Sequence, residues 1–143
     1  MNRDIEEIGG SCHCRTVQFR VRLTDGLHTA CRCNCSYCRM RGAVIAFANL
    51  DGIHFLAGEE ALTLYQFHTR SARHFFCSRC GVYTHHQRRF NPNQYAVNVA
   101  CLEGLSPFDF EEVPVLDGAH HPRDQAGDTE MRQVGILRFV RTV

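Results

Sequence analysis

Nine of the chain's 143 residues are cysteine, and seven of the nine stand in three short groups. The groups are Cys12-His13-Cys14, Cys33-Asn34-Cys35-Ser36-Tyr37-Cys38 and Cys77-Ser78-Arg79-Cys80; Cys31 and Cys101 stand apart from them. No other feature restricts the possible folds as much. An odd number of cysteines cannot pair fully as disulfides within one chain, and close spacing in a reducing compartment points to metal or redox chemistry. Zinc takes four thiolate or imidazole ligands in a tetrahedron. A Cys-x-x-Cys turn presents two sulfurs on one side of a tight loop, and Gly81, directly after Cys80, permits a positive φ there. Cys12 and Cys14 with Cys77 and Cys80 make the natural four-sulfur set, a structural zinc that ties the first strand to a distant hairpin. Cys33, Cys35 and Cys38 supply three sulfurs, and three protein ligands with an open fourth position are the pattern of a catalytic zinc. Cys31 or a histidine could close that tetrahedron and make the second site structural too. Otherwise Cys31 and Cys101 read as small buried hydrophobes.

Composition removes several other classes. Hydrophobic residues are 44% of the chain and charged residues 22%, a globular balance for one domain with its own core. Sixteen basic residues against fifteen acidic ones give a formal charge of +1, so nucleic acid is not an expected partner. No apolar run is long enough for a transmembrane helix, and no membrane partner is expected. Acids at Asp4, Glu6 and Glu7 stand where a secretory signal needs apolar residues, so a cytoplasmic location is expected. There is no Gly-rich phosphate loop and no nucleotide fingerprint.

Strand signals dominate. Val17, Phe19, Val21 and Leu23 alternate with Gln18, Arg20 and Arg22, the mark of a half-buried strand. Ala43–Ala48, Leu62–Phe67 and Tyr95–Ala100 are further strands, and Arg73–Phe76 and Val82–His85 flank the Cys-x-x-Cys turn as a hairpin. Val113-Pro114-Val115 belongs at a sheet edge if it is a strand, because proline lacks the N–H a ladder needs. Helix is confined to one or two turns within Asn34–Arg41, with Asn34 as cap, and a single turn at Glu59–Ala61. Gly118–Thr129 reads as a polar surface loop, and Met131–Val140 as a terminal strand or a tail. The expected class is mainly β, with short antiparallel strands joined by metal-holding turns.

Three ordered segments resemble one family. Gly10-Ser11-Cys12-His13-Cys14-Arg15-Thr16-Val17-Gln18-Phe19 is similar to its opening motif, Cys33-Asn34-Cys35-Ser36-Tyr37-Cys38-Arg39 to its central motif, and Arg73-His74-Phe75-Phe76-Cys77-Ser78-Arg79-Cys80-Gly81 to its third. The family is that of the glutathione-dependent formaldehyde-activating enzymes, grouped with the centromere protein V domain. The later Asn98–Gly104 and Asp117-Gly118 segments also fit. The resemblance covers residues 8–122 and leaves 123–143 as an extension or extra strand. It implies an Mss4-like fold with two zinc ions: a structural one on Cys12, Cys14, Cys77 and Cys80, and a catalytic one on Cys33, Cys35 and Cys38. It implies glutathione as a small-molecule partner and a carbon–sulfur lyase activity that joins formaldehyde to it as S-hydroxymethylglutathione.

The chemistry then expected is thiol activation, with the cation stabilising a substrate thiolate at the open position. A centre with three thiolates is negative overall, which suits it to holding a soft sulfur and makes nearby cations important. Arg39, Arg41, Arg70 and Arg73 are the candidates for binding the carboxylates of an anionic tripeptide. His74, His85, His86, His120 and His121 are candidates for proton transfer, though such histidines are usually surface or core residues, and the ring of His13 is expected to point away from the metal. Phe47, Phe67, Phe75 and Phe76 are expected in the core, with a cleft wall as the alternative role. A binding module with two structural zincs, or a thiol redox sensor, would be the competing functions.

Overall fold

The computed structural model describes residues 1–124 and 130–143, and its architecture is mainly β. Among the described residues ten strands form two sheets. In chain order the strands are β1 (Glu7–Ser11), β2 (Gln18–Leu23), β3 (Arg32–Cys33), β4 (Ile45–Ala57), β5 (Leu62–Tyr65), β6 (Arg73–Cys77), β7 (Tyr83–Gln87), β8 (Gln94–Asn98), β9 (Glu112–Leu116) and β10 (Gln133–Arg138). A short helix, α1 (Cys38–Arg41), follows β3. The larger sheet has the order β1-β2-β4-β8-β7-β6-β5 with antiparallel neighbours throughout, and the smaller has the order β10-β9-β3.

The alternation in β2 is realised: Phe19, Val21 and Leu23 are buried while Arg20 and Arg22 are exposed. β4 shows why its first half is an unbroken apolar run. Val44, Ala46 and Ala48 face the main core with Phe19, Val97 and Phe110, whereas Ile45 and Phe47 face a second, smaller core with Cys31, Tyr83 and Ala96. A sheet covered on both faces has no solvent side on which to place polar residues. Beyond Asn49 the strand continues to Ala57 and pairs with β2, after a register shift between Ala48 and Ile53. That second half carries exposed residues and no clean alternation, so the sequence marks only the first half.

Several local expectations change. The helix starts at Cys38 with Tyr37 as its N-cap and no capping side chain. Asn34 is not the cap, because its amide is used elsewhere: Nδ2 donates to Asp117 Oδ1 (3.1 Å) and Oδ1 accepts from the Ala119 N–H (2.9 Å). β9 is the middle strand of its sheet rather than an edge. Pro114 is tolerated there because β3 reaches only Val115 and Leu116, leaving Pro114 opposite Ile136 alone. β8 stops at Asn98, and Val99–Cys101 turn as 3-10 helix with the Asn98 side chain accepting from the Ala100 N–H. Glu59–Ala61 form the single turn expected, again 3-10. Gly118–His120 and Pro122–Asp124 are short 3-10 turns, and His121 and Pro122 are buried, so this stretch packs onto the molecule instead of running over it. Residues 125–129 of the predicted loop lie outside the described residues. Residues 133–138 form β10 against β9. Among the described residues no helix is long and apolar enough to cross a membrane.

Candidate active site

Cys12 and Cys14 sit in the turn between β1 and β2, while Cys77 ends β6 and Cys80 sits in the turn to β7. Those pairs belong to the second and sixth strands of the seven-stranded order, yet their sulfurs meet. Cys14 Sγ lies 3.8 Å from Cys77 Sγ and 3.6 Å from Cys12 Sγ, and all four sulfurs lie within 4.8 Å of one another. The large sheet must therefore curl until its two ends are joined at this point. Zn–S bonds of about 2.3 Å at tetrahedral angles place sulfurs about 3.8 Å apart, so this set fits zinc as it stands. The backbone supports it: the Val17 N–H donates to Cys12 Sγ (3.3 Å) and the Arg79 N–H to Cys77 Sγ (3.4 Å). Gly81 has φ +76°, the left-handed conformation that turns the chain back into β7.

The second group is built where β3 runs into α1. Cys33, Cys35 and Cys38 bring their sulfurs within 4.8 Å of one another. Among the described residues no fourth Cys, His, Asp or Glu joins them at ligand spacing, and Cys31 is not part of the group. Two backbone N–H groups point at these sulfurs, Cys35 to Cys33 (3.4 Å) and Cys38 to Cys35 (3.2 Å). Hydrogen bonds from the neighbouring Cys33 and Cys38 thiols hold the Cys35 thiol far below its usual value, while the same contacts and burial push Cys38 up. Three soft sulfur donors at the corners of a small triangle, with Cys35 favoured as a thiolate, suit a thiophilic cation.

Behind the triangle stands Arg41, whose role differs from a surface cation's. Its Nη2 donates to Cys38 Sγ (3.3 Å), its Nη1 to His74 Nδ1 (3.1 Å), and its guanidinium lies 3.5 Å from the centroid of Tyr83. Nη2 also reaches His86 Nδ1 (3.5 Å), which Tyr83 Oη approaches at 2.7 Å. No carboxylate pairs with Arg41 among the described residues, and its Nε is buried without a partner. A buried cation needs a nearby negative charge, and the cysteine triangle is the one supplied. His74 and His86 present acceptor nitrogens to this cation and are kept neutral by burial, which carries His74 down to about 4 and His86 well below its usual value.

In front of the triangle lies a cleft of about 580 Å³, within the range of small-molecule sites. Phe47 and Phe67 form apolar walls, so the cleft role holds for these two phenylalanines, and Cys31 and Ile45 contribute to its lining. The far wall is the stretch after β9. Gly118 there is packed so tightly that a Cβ would overlap Cys33 Sγ and come within 3.0 Å of the Cys35 Cβ. Asn34, inside the Cys-x-Cys motif, clasps this wall through Asp117 and Ala119. At the other end Arg89 grips Asp124 through two hydrogen bonds, 2.6 and 3.1 Å.

The predicted cations are distributed differently from expectation. Arg39 lines the cleft. Arg41 is behind the sulfurs, Arg70 is exposed and does not line the cleft, and Arg73 is exposed with its guanidinium 5.6 Å from the Phe75 ring. Arg88 and Arg89, which sequence reasoning passed over, are the additional cleft cations. Their only sequence signal is a pair of arginines before Phe90. Among the histidines, His13 is exposed, His85 is buried between Phe75, Phe55 and Tyr95, and His120 is exposed beside Asp117. His74, His86 and His121 line the cleft. Cys101 is buried, with its Sγ 3.5 Å from the Tyr83 carbonyl, and Cys31 is buried with its thiol raised to about 12 by desolvation; both fit the packing role.

Comparison with known proteins bears on the same residues. The sequence model described as "Glutathione-dependent formaldehyde-activating enzyme" matches residues 7–113, well over half of the chain. A crystal structure of a Rhodobacter sphaeroides protein aligns with a TM-score of 0.74 at 55% sequence identity, covering 76% of this chain and 99% of that one.

Proposed function

Since the chain belongs to the glutathione-dependent formaldehyde-activating enzyme family, we propose that it catalyses the joining of a small thiol, glutathione first among them, to formaldehyde in the cleft above Cys33, Cys35 and Cys38. The observation that carries this reading is the inequality of the two cysteine groups. One has four sulfurs at tetrahedral spacing on a turn, and the other has three beneath a cleft. In this reading Cys12, Cys14, Cys77 and Cys80 hold a structural zinc and Cys33, Cys35 and Cys38 hold a catalytic one. A zinc bound there supplies stabilisation of a sulfur ligand in its deprotonated form.

The chain's own groups do the rest. Arg41 offsets the negative charge of the three thiolates and keeps Cys38 oriented through its hydrogen bond. Phe47 and Phe67 keep water from the reacting carbon and leave an apolar space beside the sulfurs. His121 accepts the Arg123 N–H at Nδ1 (3.1 Å), so the neutral ring carries its proton on Nε2. Its Nε2–H hydrogen-bonds the aldehyde oxygen as the S–C bond forms. The proton released by the thiol reaches that oxygen through solvent as the C=O double bond becomes a C–OH single bond, so atoms and charge balance while the ring stays neutral.

Because thiol and formaldehyde also combine unaided, the test is a rate. Exchange NMR on a glutathione–formaldehyde mixture reads interconversion directly. Zinc-loaded protein is expected to accelerate it, and Cys35→Ser is expected to lose at least about a hundredfold of that acceleration while keeping the first metal. No acceleration by protein holding two zincs per chain would overturn the proposal.

A further inference from the structure

The cleft holds a cation with no anion. Arg88 follows β7 and projects among the lining groups between two rings, its guanidinium 4.1 Å from the Phe47 centroid and 5.5 Å from that of Phe90. Its Nη1 donates to Gln94 Oε1 at 2.7 Å, a neutral partner. No carboxylate is paired with Arg88 among the described residues, whereas the fork of its neighbour Arg89 is occupied by Asp124. Arg41 Nε is the only buried side-chain nitrogen or oxygen left without a partner among the described residues. The unused Nε and Nη2 donors of Arg88 are therefore accessible, and the space they open on is the cleft.

We propose that Arg88 is the residue that selects an anionic thiol: its free donors bind a carboxylate of the substrate whose sulfur lies over Cys33, Cys35 and Cys38. The proposal rests on the thiol-binding role given to the cleft above. A planar guanidinium clamped by two rings and an amide is already ordered, so little freedom is lost when it forms a bidentate pair. Desolvation weakens its charged form, so an incoming anion removes an existing cost. Arg39, the other cation of the cleft without a carboxylate, is exposed and carries no such clamp. A site with one fixed cation and apolar walls favours a compact acid with a thiol at its other end and discriminates against neutral thiols of equal size.

The test uses full-length protein loaded with zinc and compares binding of 3-mercaptopropionate with its methyl ester, and of glutathione with its diester. Wild type is expected to bind each acid about 10- to 100-fold more tightly than its ester, the range for a charge-assisted pair. Arg88→Met is expected to bring both ratios close to one with zinc content unchanged. Arg88→Lys, which keeps the charge but not the fork, should give intermediate ratios, and Arg73→Met, outside the cleft, should leave them as in wild type. Equal binding of acid and ester by wild type, or a full preference kept in Arg88→Met, would overturn the proposal. If Arg88→Met does not fold, an undiminished preference in Arg88→Lys overturns it equally. Charge-selective thiol binding without acceleration of the formaldehyde reaction would sink the function proposed above and leave Arg88 standing; acceleration without charge preference would do the reverse.

Discussion

Single residues here differ by what their surroundings allow them to carry. Arg41 and Arg88 are both partly buried arginines, yet one faces a thiol and the other an open cleft, and only that difference separates a charge that holds the site from one that can receive a ligand. Histidines divide in the same way. His85 is 3% exposed, packed parallel to Phe75 with its Nδ1 2.9 Å from Thr84 Oγ1, and desolvation lowers it from 6.5 to about 4. The unfolded chain therefore binds a proton at this residue before the folded one does. Its contribution to stability is complete above pH 6.5 and is lost as pH falls below that value, at about 1.36 kcal/mol per unit until pH 4. Between pH 7.5 and 5.5 this amounts to about 1.4 kcal/mol. Urea unfolding of metal-loaded His85→Phe at those two pH values should show a drop smaller than wild type's by about that amount. An identical drop would mean that His85 is not kept neutral by the fold.

Among the elements, the turn after β9 matters more than its composition suggests. It is polar and rich in glycine and histidine, which reads as surface, but Asn34 clasps it against the cysteine triangle. Gly118 is required by close approach, since any Cβ would overlap Cys33 Sγ. Gly118→Ala must therefore push the wall or the sulfur aside. The expected outcome is loss of the second zinc with the first retained, read as metal content falling from two per chain to one, at a stability cost of about 1–3 kcal/mol, usual for overpacking. Two tightly held zincs in Gly118→Ala would show that the wall gives way freely. The strands were easier to read than this turn. β2 and the start of β4 carry period-two or continuous apolar patterns set by burial on one face or two, while β3 is two residues long and exists because β9 pairs with it.

Over the whole molecule, the first cysteine group brings together distant parts of one curled sheet. It joins residues more than sixty positions apart, Cys14 and Cys77. A zinc held there, as proposed above, contributes to folding itself, because the unfolded chain does not hold the ligands together. Cys14 is exposed, so replacing it with serine removes little packing. Cys14→Ser should nevertheless lower the melting temperature by at least about 10 °C, the consequence of losing several kcal/mol from a domain of this size. Cys38→Ser, at the second group, should lower it by less while abolishing thiol binding. Equal melting temperatures for Cys14→Ser and wild type would remove the structural role from the first group.

The division between what was legible and what was not follows contact range. Alternation and spacing are local, so the sequence alone determined the mainly β class, most strands and the partition of seven cysteines into a four and a three. The assignment of Cys31 and Cys101 to packing followed from their isolation. Cleft walls and charges depend on which distant segments meet, and no local pattern records that. Arg88 and Arg89 entered the cleft, Arg41 went behind it and Arg70 and Arg73 stayed outside because β7 leads into it while α1 backs onto Tyr83 and His74. The tertiary structure alone decided that three sulfurs face an open space and which arginine waits there, since both follow from how the sheets curl and pack.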